Sequence, residues 1–249
     1  MTSTDPHQGR ATSFGTAAEA YNTFRPPPPA ALADLLGPLD GVESVDLAAG
    51  TGLLTRFLAD RGASVTAVEP DDRMADVIRR TARGVTVLAG SAEAIPLPEA
   101  SVDLVTVSSA WHWFDHQRAP VEIARILRPG GRLVVLWNGV DYRSGWSTEL
   151  ARLRNEVAGA APSSRPRREV VLGDDLPFGP VVTAVIDWEW SRTADQLVGL
   201  LGTYSGALVS RPEARQRLAD GVRAVVDAHA VDGLVTLTMA CRCITATRL

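Results

Sequence analysis

Gly50 and Gly52 stand one residue apart behind a short apolar run, in Asp46-Leu47-Ala48-Ala49-Gly50-Thr51-Gly52, and Glu69 follows at the end of the next apolar run. Small residues let a backbone approach a bound molecule closely, and glycine takes positive φ at little cost. An acidic side chain about 20 residues further on can accept two hydrogen bonds from a ribose diol. A glycine pair by itself also suits any tight turn. The pair combined with an acid at a strand end points to a nucleoside-containing cofactor. The dinucleotide fingerprint wants a third glycine three places after Gly52, and Thr55 stands there. Pyrophosphate also gains from nearby positive charge, which this loop offers only through Arg56. A nicotinamide dinucleotide therefore ranks second.

A second group with chemistry is Ser109, Trp111, His112, Trp113 and Phe114. Histidine titrates near neutrality, so His112 can act as a base or simply hold its loop by hydrogen bonding. Of the other histidines, His7 lies in a polar leader, His116 begins the next predicted helix and His229 is remote in sequence. Trp111, Trp113 and Phe114 suit an apolar wall or ordinary core packing. Tyr142, Trp146 and Tyr204, later in the chain, are candidate substrate contacts, with packing as their plainer role.

The elements that must position these groups alternate. Ser44 to Ala48, Ser64 to Glu69, Val85 to Ala89, Val102 to Val107 and Arg132 to Trp137 are short Val/Leu-rich strands. Leu53 to Arg61, Asp72 to Ala82 and Val121 to Leu127 carry apolar residues at helical spacing, the last ended by Pro129-Gly130-Gly131. Asp71 or Asp72 is available as a helix N-cap. Strands apolar on both faces, separated by helices, indicate a parallel sheet covered on both sides. In such a sheet ligands sit at the C-terminal strand ends, where the Gly50 loop, Glu69 and the His112 segment all fall.

Before this region, Phe14 to Arg25 reads as a helix stopped by Pro26 to Pro29, and Ala30 to Leu36 as a short helix closed by Gly37-Pro38. After it, Gly145 to Ala160 is a helix entering a Pro/Arg loop with Arg165, Arg167 and Arg168, and is the candidate lid. Val181 to Trp190 is a strand, Asp195 to Leu201 and Pro212 to His229 are helices, and Leu234 to Thr247 is a last strand. We expect a single domain: residues 1–140 form the cap and cofactor half, and 141–249 the lid and substrate region with the final strands.

The 249 residues, 45% hydrophobic, suffice for a substantial core. A net charge of -4 offers no general basic field for nucleic acid, and no run reaches the roughly 18 apolar residues of a membrane span. The two cysteines, Cys241 and Cys243, share one face of the last strand and are expected to be reduced and buried, with no metal. The leader lacks the apolar run of a signal peptide, so a cytoplasmic protein is expected.

Taken together, Val45 to Gly52, Val68-Glu69-Pro70, Gly90 to Leu97, His112-Trp113-Phe114 and Leu127-Arg128-Pro129-Gly130-Gly131 run over roughly residues 14 to 137 in one family's order and spacing. The sequence resembles the class I methyltransferases that use S-adenosylmethionine, in particular the small-molecule group around trans-aconitate methyltransferase. The resemblance implies a Rossmann-like three-layer α/β/α sandwich: a mostly parallel seven-stranded sheet with an antiparallel last strand and a helical lid insertion. It also implies that Asp46, Ala48, Gly50 and Gly52 back the methionine part of the cofactor, that Glu69 holds the ribose and that Met74 flanks adenine. Ser91, Ala92 and Glu93 would lie at the adenine amino edge, and Ser109 and His112 would border the methionine end and the acceptor. Tyr21-Asn22-Thr23-Phe24-Arg25-Pro26 resembles the family's Tyr…Arg-Pro element, making Tyr21 and Arg25 candidates for the cofactor carboxylate. Ala48 replaces a common glycine, a mild change because both are small, and Ser91 replaces a common aspartate. The expected product is S-adenosylhomocysteine and the expected partner a small organic acceptor.

Overall fold

Val105 and Val107 pack on one face of their strand and Leu104 on the other, and on the next strand Leu133 and Val135 oppose Val134 and Leu136. That period of two, with both faces buried, is the signature of a sheet covered on both sides. The computed structural model describes residues 17–143, 145–158, 169–173 and 175–249. The predicted start of the first helix at Phe14, the end of the Gly145 to Ala160 helix and the loop with Arg165, Arg167 and Arg168 lie outside them.

The strands are β1 (Glu43–Leu47), β2 (Ser64–Val68), β3 (Thr86–Leu88), β4 (Val102–Ser108), β5 (Leu127–Val140), β6 (Val182–Arg192) and β7 (Val235–Thr247). They form one sheet in the order β3-β2-β1-β4-β5-β7-β6. β1 through β5 pair in parallel, with Asp46 beside Ala67 on one side and Thr106 on the other. β7 runs antiparallel to β5: the Gly130 and Asp141 N–H groups donate to the Arg248 and Thr238 carbonyls, so one strand ascends as the other descends.

The helices are α1 (Ala18–Phe24), α2 (Leu32–Leu36), α3 (Leu53–Ala59), α4 (Asp72–Thr81), α5 (Ala119–Ile126), α6 (Ser147–Ala158), α7 (Ala194–Gly202), α8 (Ser205–Leu208) and α9 (Pro212–His229). One face of the sheet is covered by α5 through Ile123 and Ile126, the other by α2 and α3 through Leu32, Leu36, Leu54 and Leu58. Cys241 and Cys243 are free and buried on that second face. Asp71 caps α4 by accepting the Arg73 N–H.

Three details depart from the pattern read in the sequence. Pro129-Gly130-Gly131 does not simply end a helix but already belongs to β5, because Gly130 and Gly131 exchange backbone hydrogen bonds with Arg248. α5 begins at Ala119, so His116 precedes it. A 3-10 turn, Trp111–Trp113, and the short α8 carry no periodic signal because each is about one turn long.

Two compact units form. One comprises residues 27–138, 167–186 and 241–249 and holds the parallel strands; the other comprises the residues up to 26, 139–166 and 187–240. The second is largely helical, with Leu150, Leu197, Leu200, Leu201, Leu218 and Val222 in its core. Within it Gly199 of α7 lets the Phe24 ring of α1 approach so closely that an added Cβ would stand 2.5 Å from it. Among the described residues no helix is long and apolar enough to cross a membrane.

Candidate active site

β1 ends at Leu47, and the chain then turns through Ala48 (φ 53°), Gly50 (φ 58°) and Gly52 (φ 79°) into α3. Ala48 is thus more than a small replacement for glycine: it occupies left-handed space that disfavours any Cβ. Ser109, just past the adjacent β4, does the same at φ 57°. Each such residue costs of order 1–3 kcal/mol, and strain of this kind gathers at functional sites. Nothing lies within 4 Å of where a Gly50 Cβ would stand.

Glu69 follows β2 and is only 6% exposed. Its Oε2 accepts the Gly50 N–H at 2.8 Å and its Oε1 the Asp71 N–H at 3.0 Å. Burial pushes its pKa up, and those two backbone donors pull it back. The carboxylate is thereby tied directly to the glycine loop. Each oxygen keeps further lone-pair capacity for a diol.

Asp46 is 1% exposed. Its carboxyl accepts the Thr55 hydroxyl at 2.6 Å and the Thr106 hydroxyl at 3.3 Å. Burial pushes it up to about 7, against the lowering effect of both threonines and with a further rise from the Glu69 charge. Asp46 therefore braces the loop from behind. Thr55, which in the sequence marked only a missing glycine, is its main hydrogen-bond donor. Arg56, the one cation of this loop, donates to the Thr51 carbonyl and the Thr81 hydroxyl, at 2.9 and 2.7 Å. Among the described residues the buried Thr51 hydroxyl has no hydrogen-bond partner.

The segment after β3 is fixed from α5. Glu122 accepts the Ile95 N–H at 2.9 Å and pairs with Arg125, whose guanidinium donates to the Ile95 and Leu97 carbonyls. Ala92 and Met74 are buried, while Ser91 and Glu93 are half-buried. Glu93 Oε1 accepts the Asp115 N–H at 2.9 Å, which joins this segment to the one after β4. Gly90 leaves no room: an added Cβ would lie 2.8 Å from Pro96 Cδ and 3.1 Å from Val68 Cγ1. Gly90→Ala is expected to lose about 1–3 kcal/mol in urea unfolding; an unchanged midpoint would show that the loop yields.

After β4, Trp111 is fully buried in the core beside Phe114 and His116, ring centroids 5.7 and 6.0 Å away. Its side chain supports the loop and is not presented to an acceptor. His116 Nε2 lies 3.2 Å from the Trp111 carbonyl. Trp113 and Phe114 are half-buried against the same core, and the His112 ring lies 4.6 Å from that of Trp113.

A methyltransferase domain family model matches residues 45–135. An uncharacterized methyltransferase of Mycobacterium tuberculosis is 40% identical over 217 residues, 87% of this chain and 86% of that one. The chain belongs to the class I methyltransferases that use S-adenosylmethionine. A further uncharacterized methyltransferase-like protein of Schizosaccharomyces pombe is 31% identical over 78% of this chain and 77% of its own. The solved structure of a type II methyltransferase from Anaeromyxobacter dehalogenans is similar with a TM-score of 0.66 and 28% identity, over 90% of this chain and 98% of that one. These matches do not single out the trans-aconitate group.

The remaining candidates of this methyltransferase lie in the helical unit. Arg25 donates through Nε to the Thr203 hydroxyl and through Nη2 to the Thr203 carbonyl, both at 2.9 Å. Its guanidinium lies 4.6 Å from the Tyr21 ring centroid and 4.3 Å from that of Tyr204. Tyr142 packs beneath Arg154, at 4.6 Å, and Trp146 stacks on His229, at 5.8 Å. Thr55, Thr106, Glu122, Arg125 and Arg154 are the contributors that sequence reasoning missed. Each acts through a partner outside its own element, so no local motif marks it.

Proposed function

We propose that this methyltransferase binds S-adenosylmethionine on the loop from Asp46 to Gly52 and moves its methyl group to the oxygen, nitrogen or carbon of a small organic acceptor. The Glu69–Gly50 hydrogen bond carries this reading, because it sets a diol acceptor beside a loop whose backbone a ligand can approach. The open space at Gly50 and the unpartnered Thr51 hydroxyl fit a bound nucleoside cofactor. Glu69 would take the ribose hydroxyls, Met74, Ser91, Ala92 and Glu93 the adenine, and Tyr21 and Arg25 the carboxylate. A dinucleotide fits less well, since Arg56 is spent on Thr51 and Thr81 rather than offered to a pyrophosphate.

The cofactor's sulfonium, when bound, supplies a methyl already activated for in-line displacement. The chain's own residues have to align the acceptor and exclude water, and alignment alone is worth roughly 7–11 kcal/mol. His112 is the candidate base for an acceptor that must lose a proton, as a hydroxyl does and a carboxylate does not. Trp113 and Phe114 supply the apolar side of the loop. A net charge of -4 favours a small acceptor over nucleic acid.

Calorimetric titration with S-adenosylmethionine, S-adenosylhomocysteine and NAD tests the cofactor. Binding of the first two without NAD is the expected result, and binding of NAD alone overturns the reading. Turnover is tested by formation of S-adenosylhomocysteine on a panel of hydroxyl, amine and carboxylate acceptors. Tight cofactor binding without product across that panel would reassign the chain to cofactor binding without transfer.

A further inference from the structure

Two cations of the helical unit stand among phenol rings. Arg25 lies over Tyr21 and Tyr204, and Arg154 of α6 lies over Tyr142 at 4.6 Å and near Tyr204 at 5.8 Å. Tyr204 is thus common to both. Among the described residues neither guanidinium has a carboxylate within ion-pair distance; the side-chain partner of Arg154 is the Asn155 amide oxygen, 3.2 Å away. Both arginines are half-buried. The Tyr142 hydroxyl is shielded from solvent and, among the described residues, has only the Tyr204 phenol close by, without full hydrogen-bond geometry. Its pKa is pushed well above the usual phenol value by burial first and by the neighbouring Tyr204 second, so it stays a protonated donor.

Among the described residues, a half-buried guanidinium with no carboxylate and a buried phenol with no well-aligned acceptor stand side by side. A carboxylate or phosphate oxygen would satisfy both, because each group can only donate to it or, for the phenol, donates best to it. Arg25 already donates from Nε and Nη2 to the Thr203 hydroxyl and carbonyl. Arg154, whose side-chain partner is only the Asn155 amide, is therefore the cation left for an anion.

We propose that Arg154, Tyr142 and Tyr204 form a binding site for an anionic group of the acceptor, a carboxylate or a phosphate. The assignment to the acceptor rests on the methyl-transfer reading above. An acceptor anchored in this way has an anionic handle at one end, and neutral analogues that lack the handle bind less well.

Isothermal titration of the full chain, saturated with S-adenosylhomocysteine, with benzoate, phenyl phosphate and neutral benzyl alcohol provides the test. Benzoate or phenyl phosphate should bind and benzyl alcohol should not, and which anion binds tells a carboxylate handle from a phosphate one. Arg154→Gln should weaken the anion that binds by about tenfold or more, and Tyr142→Phe by several-fold, as expected for charge-assisted hydrogen bonds. Arg152→Gln, whose arginine pairs with Glu156 on the exposed side of α6, should leave binding unchanged. Thermal melts of each variant confirm folding, and if Arg154→Gln does not fold, Tyr142→Phe decides alone. Anions that do not bind, that bind equally to Arg154→Gln and Tyr142→Phe, or that bind only when the cofactor is absent overturn the proposal while cofactor binding stands. Anion binding that survives in a chain with no affinity for S-adenosylmethionine keeps the site and instead removes the methyl-transfer reading.

Discussion

Replacing Glu69 by alanine should weaken S-adenosylmethionine and S-adenosylhomocysteine binding by about tenfold or more, with little change in circular dichroism. Two losses add in this variant. The ribose diol loses an ionised acceptor, and hydrogen bonds to a charged group contribute about 1.5–3 kcal/mol. The Gly50 N–H also loses the oxygen that holds it at 2.8 Å, so the loop is released where the ligand approaches. Glu69→Gln separates the two contributions. Its amide oxygen can still accept from Gly50, while its NH2 cannot accept from Asp71, so it should keep the tie to the glycine loop and lose the Asp71 bond and the charge, giving an intermediate affinity. Calorimetry on the three proteins checks this ordering, and an affinity for Glu69→Ala equal to that of the parent chain would discredit the whole map of the cofactor site.

The second large effect is a fall in stability on going from mildly acidic to mildly alkaline pH, traceable to Asp46. Its carboxyl has an ordinary value of 3.8, and burial pushes it up to about 7 in the folded protein. Between those two values the folded chain holds a proton that the unfolded chain has released. The stabilisation is therefore complete below about pH 4 and is lost as pH rises through about 7, with a slope of at most about 1.4 kcal/mol per pH unit from this one group. Glu69 is raised too and acts in the same direction. Asp71, Asp103, Asp115 and Glu122 are lowered by hydrogen bonds from arginines or backbone N–H groups and have the opposite sign, so their contribution is lost as pH falls through the acid range. The cofactor-free protein should then be most stable where these two ranges meet, at about pH 4, close to the ordinary carboxyl values. Urea unfolding from pH 5 to 8.5 should show a declining free energy for the parent chain and a flatter profile for Asp46→Asn, which cannot ionise. Parallel profiles for the two proteins would rule Asp46 out as the source.

How much of this was legible in the sequence differs from element to element. The parallel core was legible because Val105 and Val107 on one face and Leu104 on the other write both covered faces into one short run. The glycine loop and Glu69 were legible because strand ends and small residues repeat at a spacing that chain geometry enforces. Trp111 was not: its residue type fits a substrate wall as well as a core, and only its complete burial decides. Ala48 misled in a quieter way, since size is visible in a sequence and a φ of +53° is not.

By itself, the sequence determined the order of strands and helices, the doubly buried sheet, and the place of the glycine loop at its strand ends. These follow from local periodicity and from the short reach of a few consecutive residues. Only the tertiary structure decided that Thr55 and Thr106 hold Asp46, that Glu69 binds Gly50, that Glu93 ties down Asp115, and that Arg154 stands over Tyr142 and near Tyr204. Each of these pairs joins residues from different elements, and hydrogen bonding, burial and charge depend on separation in space, which the order of residues along a chain does not record.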